Sequence, residues 1–130
     1  MSKNKVERTE ACHVVTCKAQ FDSDIPKGTA VVFIGDYLVD NLPNATAFAQ
    51  GVTLEAHASG VYECIPVAIP GPVLRVTCGE TGSVVAGDIL NGDNALPGEW
   101  IIDASDPAGF ALVAGDDGDE IDICFVGEQY

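Results

Sequence analysis

From Glu120 to Val126 the chain runs Glu-Ile-Asp-Ile-Cys-Phe-Val, with apolar side chains at 121, 123 and 125 and acidic ones at 120 and 122. A period of two marks a strand with one face turned inward. Leu74-Arg75-Val76-Thr77 alternates in the same way. No window of a dozen residues carries a 3.6 period, and residues 44–50 offer one helical turn at most. Fourteen glycines and seven prolines cut the apolar runs into short lengths. Short alternating segments separated by turn residues predict an all-β chain, a small β-sandwich or barrel of jelly-roll-like kind.

The pattern repeats. Val15-Thr16-Cys17 returns as Val76-Thr77-Cys78, 61 positions on, and Gly28 is followed at 59 positions by Gly87. Residues 51–67 laid over 109–125 without gaps match Gly51 with Gly109, Leu54 with Leu112, Ala56 with Ala114, Gly60 with Gly118 and Ile65 with Ile123, an offset of 58. An ordered set of matches with nearly constant offset indicates a duplication with small loop changes. The chain therefore divides into an N-terminal arm, residues 1–13, and a single β domain, residues 14–130. The domain holds pseudo-repeats 14–71 and 72–130, each of about 60 residues. Halves this small bury too little surface to stand alone, so one core shared by both is expected. Pro66, Pro70 and Pro72 lack the amide proton of a ladder, which makes 66–73 an edge strand or the connector between halves.

Composition narrows the function. A chain of 130 residues with 47% apolar content is one globular domain. The net charge is −14, and five of the six basic residues (Lys3, Lys5, Arg8, Lys18, Lys27) precede position 28. After Lys27 the only basic side chain is Arg75, against sixteen Asp and Glu. Phosphate binding needs clustered Lys and Arg, so nucleic acid is excluded as a partner and anionic membranes are disfavoured. Such acidity keeps a protein soluble, or it divides the chain into a basic arm and an acidic body that meet different partners. The start Met-Ser-Lys-Asn-Lys lacks the apolar core of a secretory signal, and no run nears the roughly 20 residues of a membrane span. A soluble protein made in the cytosol is expected.

The chemistry-bearing residues are few. Five cysteines (Cys12, Cys17, Cys64, Cys78, Cys124) include no C-x-x-C pair, and they are expected to be free thiols, mostly buried. The two histidines, His13 and His57, have no nucleophile motif beside them, and no phosphate loop is present. Neither a catalytic residue nor a cofactor or metal is expected. The acidic stretch 116–122 fits either a glycine-closed turn with solvated charges or a calcium loop, though it lacks EF-hand spacing. Trp100 and Phe48 occupy equivalent variable stretches of the two halves. Each is either a core residue or a contact between copies of the chain.

Val85-Ala86-Gly87-Asp88, a spacer, and then Pro107 to Cys124 resemble the small capsid cement, or head-decoration, proteins of tailed phages. Lys27-Gly28-Thr29 and Gly51 to Ala56 show the same pattern in the first half, so the resemblance covers most of residues 14–127. It departs at Pro70-Gly71-Pro72 and in the number of cysteines. It implies an all-β, non-enzymatic protein on the capsid exterior in the virion. The partners it implies are the major capsid protein and the chain itself, as a homotrimer or, alternatively, a homodimer. Lys3, Lys5 and Arg8 are then candidates for the capsid contact, and Phe48 and Trp100 for the contact between copies. The rival expectations are a β-rich module binding a small molecule or protein, and a tail or baseplate structural piece.

Overall fold

A computed structural model of the chain describes residues 13–79 and 83–127. Among the described residues ten strands carry the fold. In the first half these are β1 (Val14–Ala19), β2 (Ala30–Gly35), β3 (Leu38–Asn41), β4 (Gly51–Thr53) and β5 (Cys64–Ala68). The second half holds β6 (Val73–Cys78), β7 (Ile89–Gly92), β8 (Glu99–Ile102), β9 (Gly109–Ala111) and β10 (Glu120–Phe125). No helix occurs among the described residues. The expected all-β barrel is found, and it is found twice. Each half closes into a five-stranded barrel, in the order β1-β3-β2-β4-β5 and β6-β8-β7-β9-β10. Closure leaves no sheet edge to manage.

The duplication shows in the registers. β1 runs antiparallel to β5 with Val15 opposite Val67 and Cys17 opposite Ile65, while β6 runs antiparallel to β10 with Leu74 opposite Ile123 and Val76 opposite Ile121. Each barrel also has one parallel pair, Ala19 beside Val39 and Cys78 beside Trp100. Isolated bridges join Ile25 to His57 and Val84 to Gly115. These pairings equate Val14–Ala19 with Val73–Cys78, an offset of 59 that also relates Ile25 to Val84 and Gly28 to Gly87. Burial follows the same register: in both strands the fourth and sixth residues point inward.

Two alignments read from the sequence are thereby corrected. The Val-Thr-Cys triplets do not superpose; Cys17 is the counterpart of Val76, and Cys78 the counterpart of Ala19. All four side chains are small and inward-facing, so composition alone cannot fix their register. Likewise Ile65 matches Ile121, not Ile123. The first half carries Val61-Tyr62-Glu63 after its turn glycine where the second has Asp119 alone, which moves the last strand by two. The period-two register is preserved, because a two-residue insertion keeps every side chain on its own face.

The proline stretch also splits. Pro66 stands within β5 opposite Thr16, where its carbonyl accepts from the Leu54 N–H, and Pro70-Gly71 forms the connector. Residues 44–50 form no helix; Asn44 Oδ1 accepts from Thr46 N–H in a local turn.

Buried apolar side chains form two clusters. One is the interior of the first barrel, around Cys17, Ile25, Val31, Val39, Ile65 and Val67. The other fills the second barrel around Leu90, Trp100, Ile121, Ile123 and Phe125, and it continues into the first half through Ala30, Leu42, Ala49 and Val52. The seam between the barrels is close. A methyl group placed on Gly92 would lie 2.5 Å from the Ala30 Cβ, and one on Gly98 would lie 3.0 Å from the Pro26 Cβ. Asn91 Nδ2 donates across the seam to the Ala47 carbonyl at 3.2 Å.

Candidate functional site

Trp100 is fully buried, so it is removed from the candidates for a contact between copies. It lies inside the second barrel, edge-on to Phe125 with ring centroids 6.3 Å apart. Its Nε1–H donates to the Gly28 carbonyl of the first barrel at 2.8 Å. The turn that presents this carbonyl is held by Thr29 Oγ1 and Thr53 Oγ1, which both donate to the Pro26 carbonyl at 2.6 and 2.7 Å. Phe48 is about a third exposed on the loop leading to β4. Lys3, Lys5 and Arg8 lie outside the described residues.

His57 is also buried. Its Nδ1 lies 2.8 Å from the Ser23 carbonyl and its Nε2 lies 2.7 Å from the Val61 carbonyl. The ring thus ties two loops of the first barrel together, and the counterpart in the second barrel is Gly115, where no side chain does so. Burial raises the thiol pKa of Cys17 and of Cys78, with the neighbouring Cys64 adding to the first and Asp119, Asp116 and Asp117 adding to the second. Cys64 is exposed, at the start of β5.

Several acidic residues brace turns. Asp116 Oδ1 accepts from Ser83 Oγ at 2.7 Å, and Asp119 Oδ2 accepts from the Asp116 N–H at 2.9 Å. Asp24 Oδ1 accepts from Ser59 N–H and Asp88 Oδ2 from Val85 N–H. Carboxylates so placed replace missing ladder bonds at tight turns. Among the described residues no three His, Cys, Asp or Glu side chains converge as a metal-ligand group.

Two grooves open on the described surface of the first barrel. One, of about 390 Å³, runs between Lys18, Phe21, Leu38, Tyr62 and Cys64. Phe21 and Tyr62 stack there with centroids 4.2 Å apart, and Tyr62 stands on the insertion that the second half lacks. The other, of about 650 Å³, opens at the barrel mouth beside the β2–β3 hairpin and is lined by Val15, Phe33, Gly35, Asp36, Tyr37 and Ile69. Tyr37 holds a positive φ of 51°, the only such residue besides glycines among the described residues, and it is 65% exposed. A bulky side chain in that backbone region is uncommon, and such sites cluster where a surface is used. No sequence motif points to Tyr37; it sits in the two-residue loop of a hairpin whose register shifts by a bulge at Ile34, between Phe33 and Gly35.

These features define a class: a chain of two closed five-stranded barrels joined by a buried seam. No family model matches the chain, and no curated protein matches it. Among solved structures its fold is similar to that of the N base of head fiber gp8.5 in bacteriophage phi29. The TM-score is 0.64 at 16% identity, over 92% of this chain and 100% of that one.

Proposed function

We propose that this chain is a non-enzymatic structural protein of a tailed-phage head, seated on the outside of the capsid shell and stabilising it as a cement or decoration protein. The observation that carries this reading is the shared two-barrel fold, which spans 92% of the chain and the whole of a phage head-fiber base. The closed barrels support it: a protein exposed on a particle needs a rigid core without free sheet edges. The charge of −14 supports it too, because it keeps a protein present in many copies soluble and free of non-specific aggregation. The proposed partners are the major capsid protein, contacted through the basic residues Lys3, Lys5 and Arg8, and further copies of the chain. A homotrimer suits local threefold positions; a homodimer suits twofolds.

The test is to mix the purified protein with undecorated phage heads and sediment the mixture through a gradient. Co-migration at fixed stoichiometry is expected, and the copy number identifies twofold or threefold sites. Protein left at the top of the gradient with competent heads refutes the proposal. A ligand screen by thermal shift then tests the groove beside Phe21 and Tyr62 as the site of a small-molecule binding module.

A further inference from the structure

The two barrels meet head to tail, and the meeting leaves one head and one tail unused. The head is the mouth of the second barrel: Gly92, Gly98 and Trp100. The tail is the surface of the first barrel that covers it: Pro26, Gly28 and Ala30, with Leu42 beside them. The strand registers give each of these residues a counterpart in the other barrel. The pairs Phe33 with Val39 and Gly92 with Trp100 place Phe33 at the position of Gly92 and Val39 at that of Trp100. Tyr37 then stands at the position of Gly98, and both have positive φ, 51° and 96°. On the tail side, the pairs Ala30 with Val52 and Ile89 with Phe110 equate Ala30 with Ile89. Pro26 corresponds to Val85.

Both unused surfaces are open and present apolar side chains, with Asp36 on the rim of the first and Asp88 beside the second. At the first barrel's mouth Phe33, Ile34 and Tyr37 are 37, 47 and 65% exposed around the groove of about 650 Å³. In the second barrel the same place is filled, with Phe125 and Trp100 both buried beneath the covering tail. On the free tail, Val85, Ile89 and Ile102 are 55, 37 and 39% exposed. Contiguous exposed apolar surface marks an interaction site.

We infer that the mouth of the first barrel receives the tail of the second barrel of another copy, repeating between chains the junction that each chain holds within itself. The new junction brings Phe33 and Tyr37 against Val85 and Ile89. These side chains are larger than the Gly92, Gly98, Pro26 and Ala30 they stand for, so the barrels lie farther apart than within one chain. The groove supplies that room. Two positions depart. Val39 stands where Trp100 stands, so the new junction has no counterpart of the indole bond to the Gly28 carbonyl and rests on apolar contact. Asp103 replaces Leu42, and its Oδ1 is turned to its own loop, accepting from the Ser105 and Asp106 N–H groups at 3.1 Å. A head-to-tail contact is heterologous, so the copies form a closed ring if the rotation closes. The inference rests on the repeat geometry and stands or falls apart from capsid binding.

The test uses the full chain and two variants, Phe33→Glu and Ile89→Glu, with mass read by light scattering over a concentration series. Both side chains are partly exposed in the single chain, so circular dichroism should show each variant folded. The wild type is expected to form a closed oligomer, and each variant to associate about 30-fold or more weakly, as for a central apolar contact. Phe33→Glu keeps an intact tail and Ile89→Glu an intact mouth. Their equimolar mixture should therefore give a complex of two chains and none larger. A wild type monomeric at every concentration, an oligomer that neither substitution weakens, or a mixture that stays monomeric each overturns the inference. So does a monomer that associates only after residues 1–12 are deleted, because the arm would then be the groove's occupant.

Discussion

The Trp100 indole and the Gly28 carbonyl, 72 residues apart in sequence, meet at 2.8 Å inside the seam between the barrels. The donor belongs to the core of one barrel and the acceptor to a turn of the other. The contact therefore ties the folding of the two halves together. Replacing Trp100 by Phe keeps the aromatic packing on Phe125 but removes the donor and leaves the Gly28 carbonyl buried without it. The expected loss is about 2–4 kcal/mol of stability, from the orphaned acceptor plus the volume removed. Urea unfolding of the variant checks this. A loss under about 0.5 kcal/mol would mean that the carbonyl finds water and the seam opens easily.

The same seam predicts a compensating pair. Alanine at Gly92 places a methyl 2.5 Å from the Ala30 Cβ, a distance that real Cβ atoms do not tolerate. Gly92→Ala is expected to cost about 1–3 kcal/mol by overpacking. Adding Ala30→Gly makes room, and the double variant should recover part of that cost. A double-mutant cycle should return a favourable coupling of about 0.5 kcal/mol or more, whereas additive effects would show that the barrels shift rather than clash.

Much of this architecture was legible in the residues, and the part that was not has physical causes. The alternation at 120–125 identified β10 because one face meets the core and the other meets water. The duplication was legible from glycines at turns, since Gly28, Gly60, Gly87 and Gly118 all need positive φ. Its register was not, because Cys, Val and Ala serve equally well as small inward side chains. The expectation of one shared core meets a divided arrangement: each barrel has its own centre, and only the second cluster crosses the seam. Trp100 was open between core and surface because its partner lies in the other repeat, and no local pattern encodes that contact. Tyr37 was invisible for a similar reason. Its positive φ has meaning only beside Gly98, and that equivalence appears once the strands are paired.

Cysteine reactivity should follow position. Cys17 and Cys78 are fully buried and their pKa values are raised, chiefly by burial, so the reactive thiolate is scarce. Cys64 is exposed. Brief alkylation of the native protein, mapped by mass spectrometry, should label Cys64 while sparing Cys17 and Cys78 until denaturant is added. The same shifts carry a sign for stability. A thiol with a higher pKa in the fold than in the unfolded chain stabilises fully below the unfolded value and loses that contribution as pH rises toward the folded one. Stability should therefore fall alkaline of the ordinary thiol pKa. The Cys17→Ala, Cys78→Ala double variant should show a flatter alkaline limb, and an unchanged limb would assign the loss to other groups.

The basic arm offers a separation of folding from attachment. β1 begins at Val14, and the Ile69 N–H donates to the His13 carbonyl at 3.0 Å, so the ladder of the first barrel is complete from His13 onward. Removing residues 1–12 takes away Lys3, Lys5 and Arg8 and none of the ten described strands. The truncated chain is expected to keep its β circular dichroism and its unfolding midpoint within about 1 kcal/mol of the full chain. If the arm makes the capsid contact, the truncated protein should no longer co-sediment with undecorated heads, and full-length protein bound to heads should be released by salt as screened cation contacts are. Undiminished binding by the truncated chain would move the contact to the barrels. The acidic second barrel would then be the surface to scan, beginning with Asp88 and Asp106.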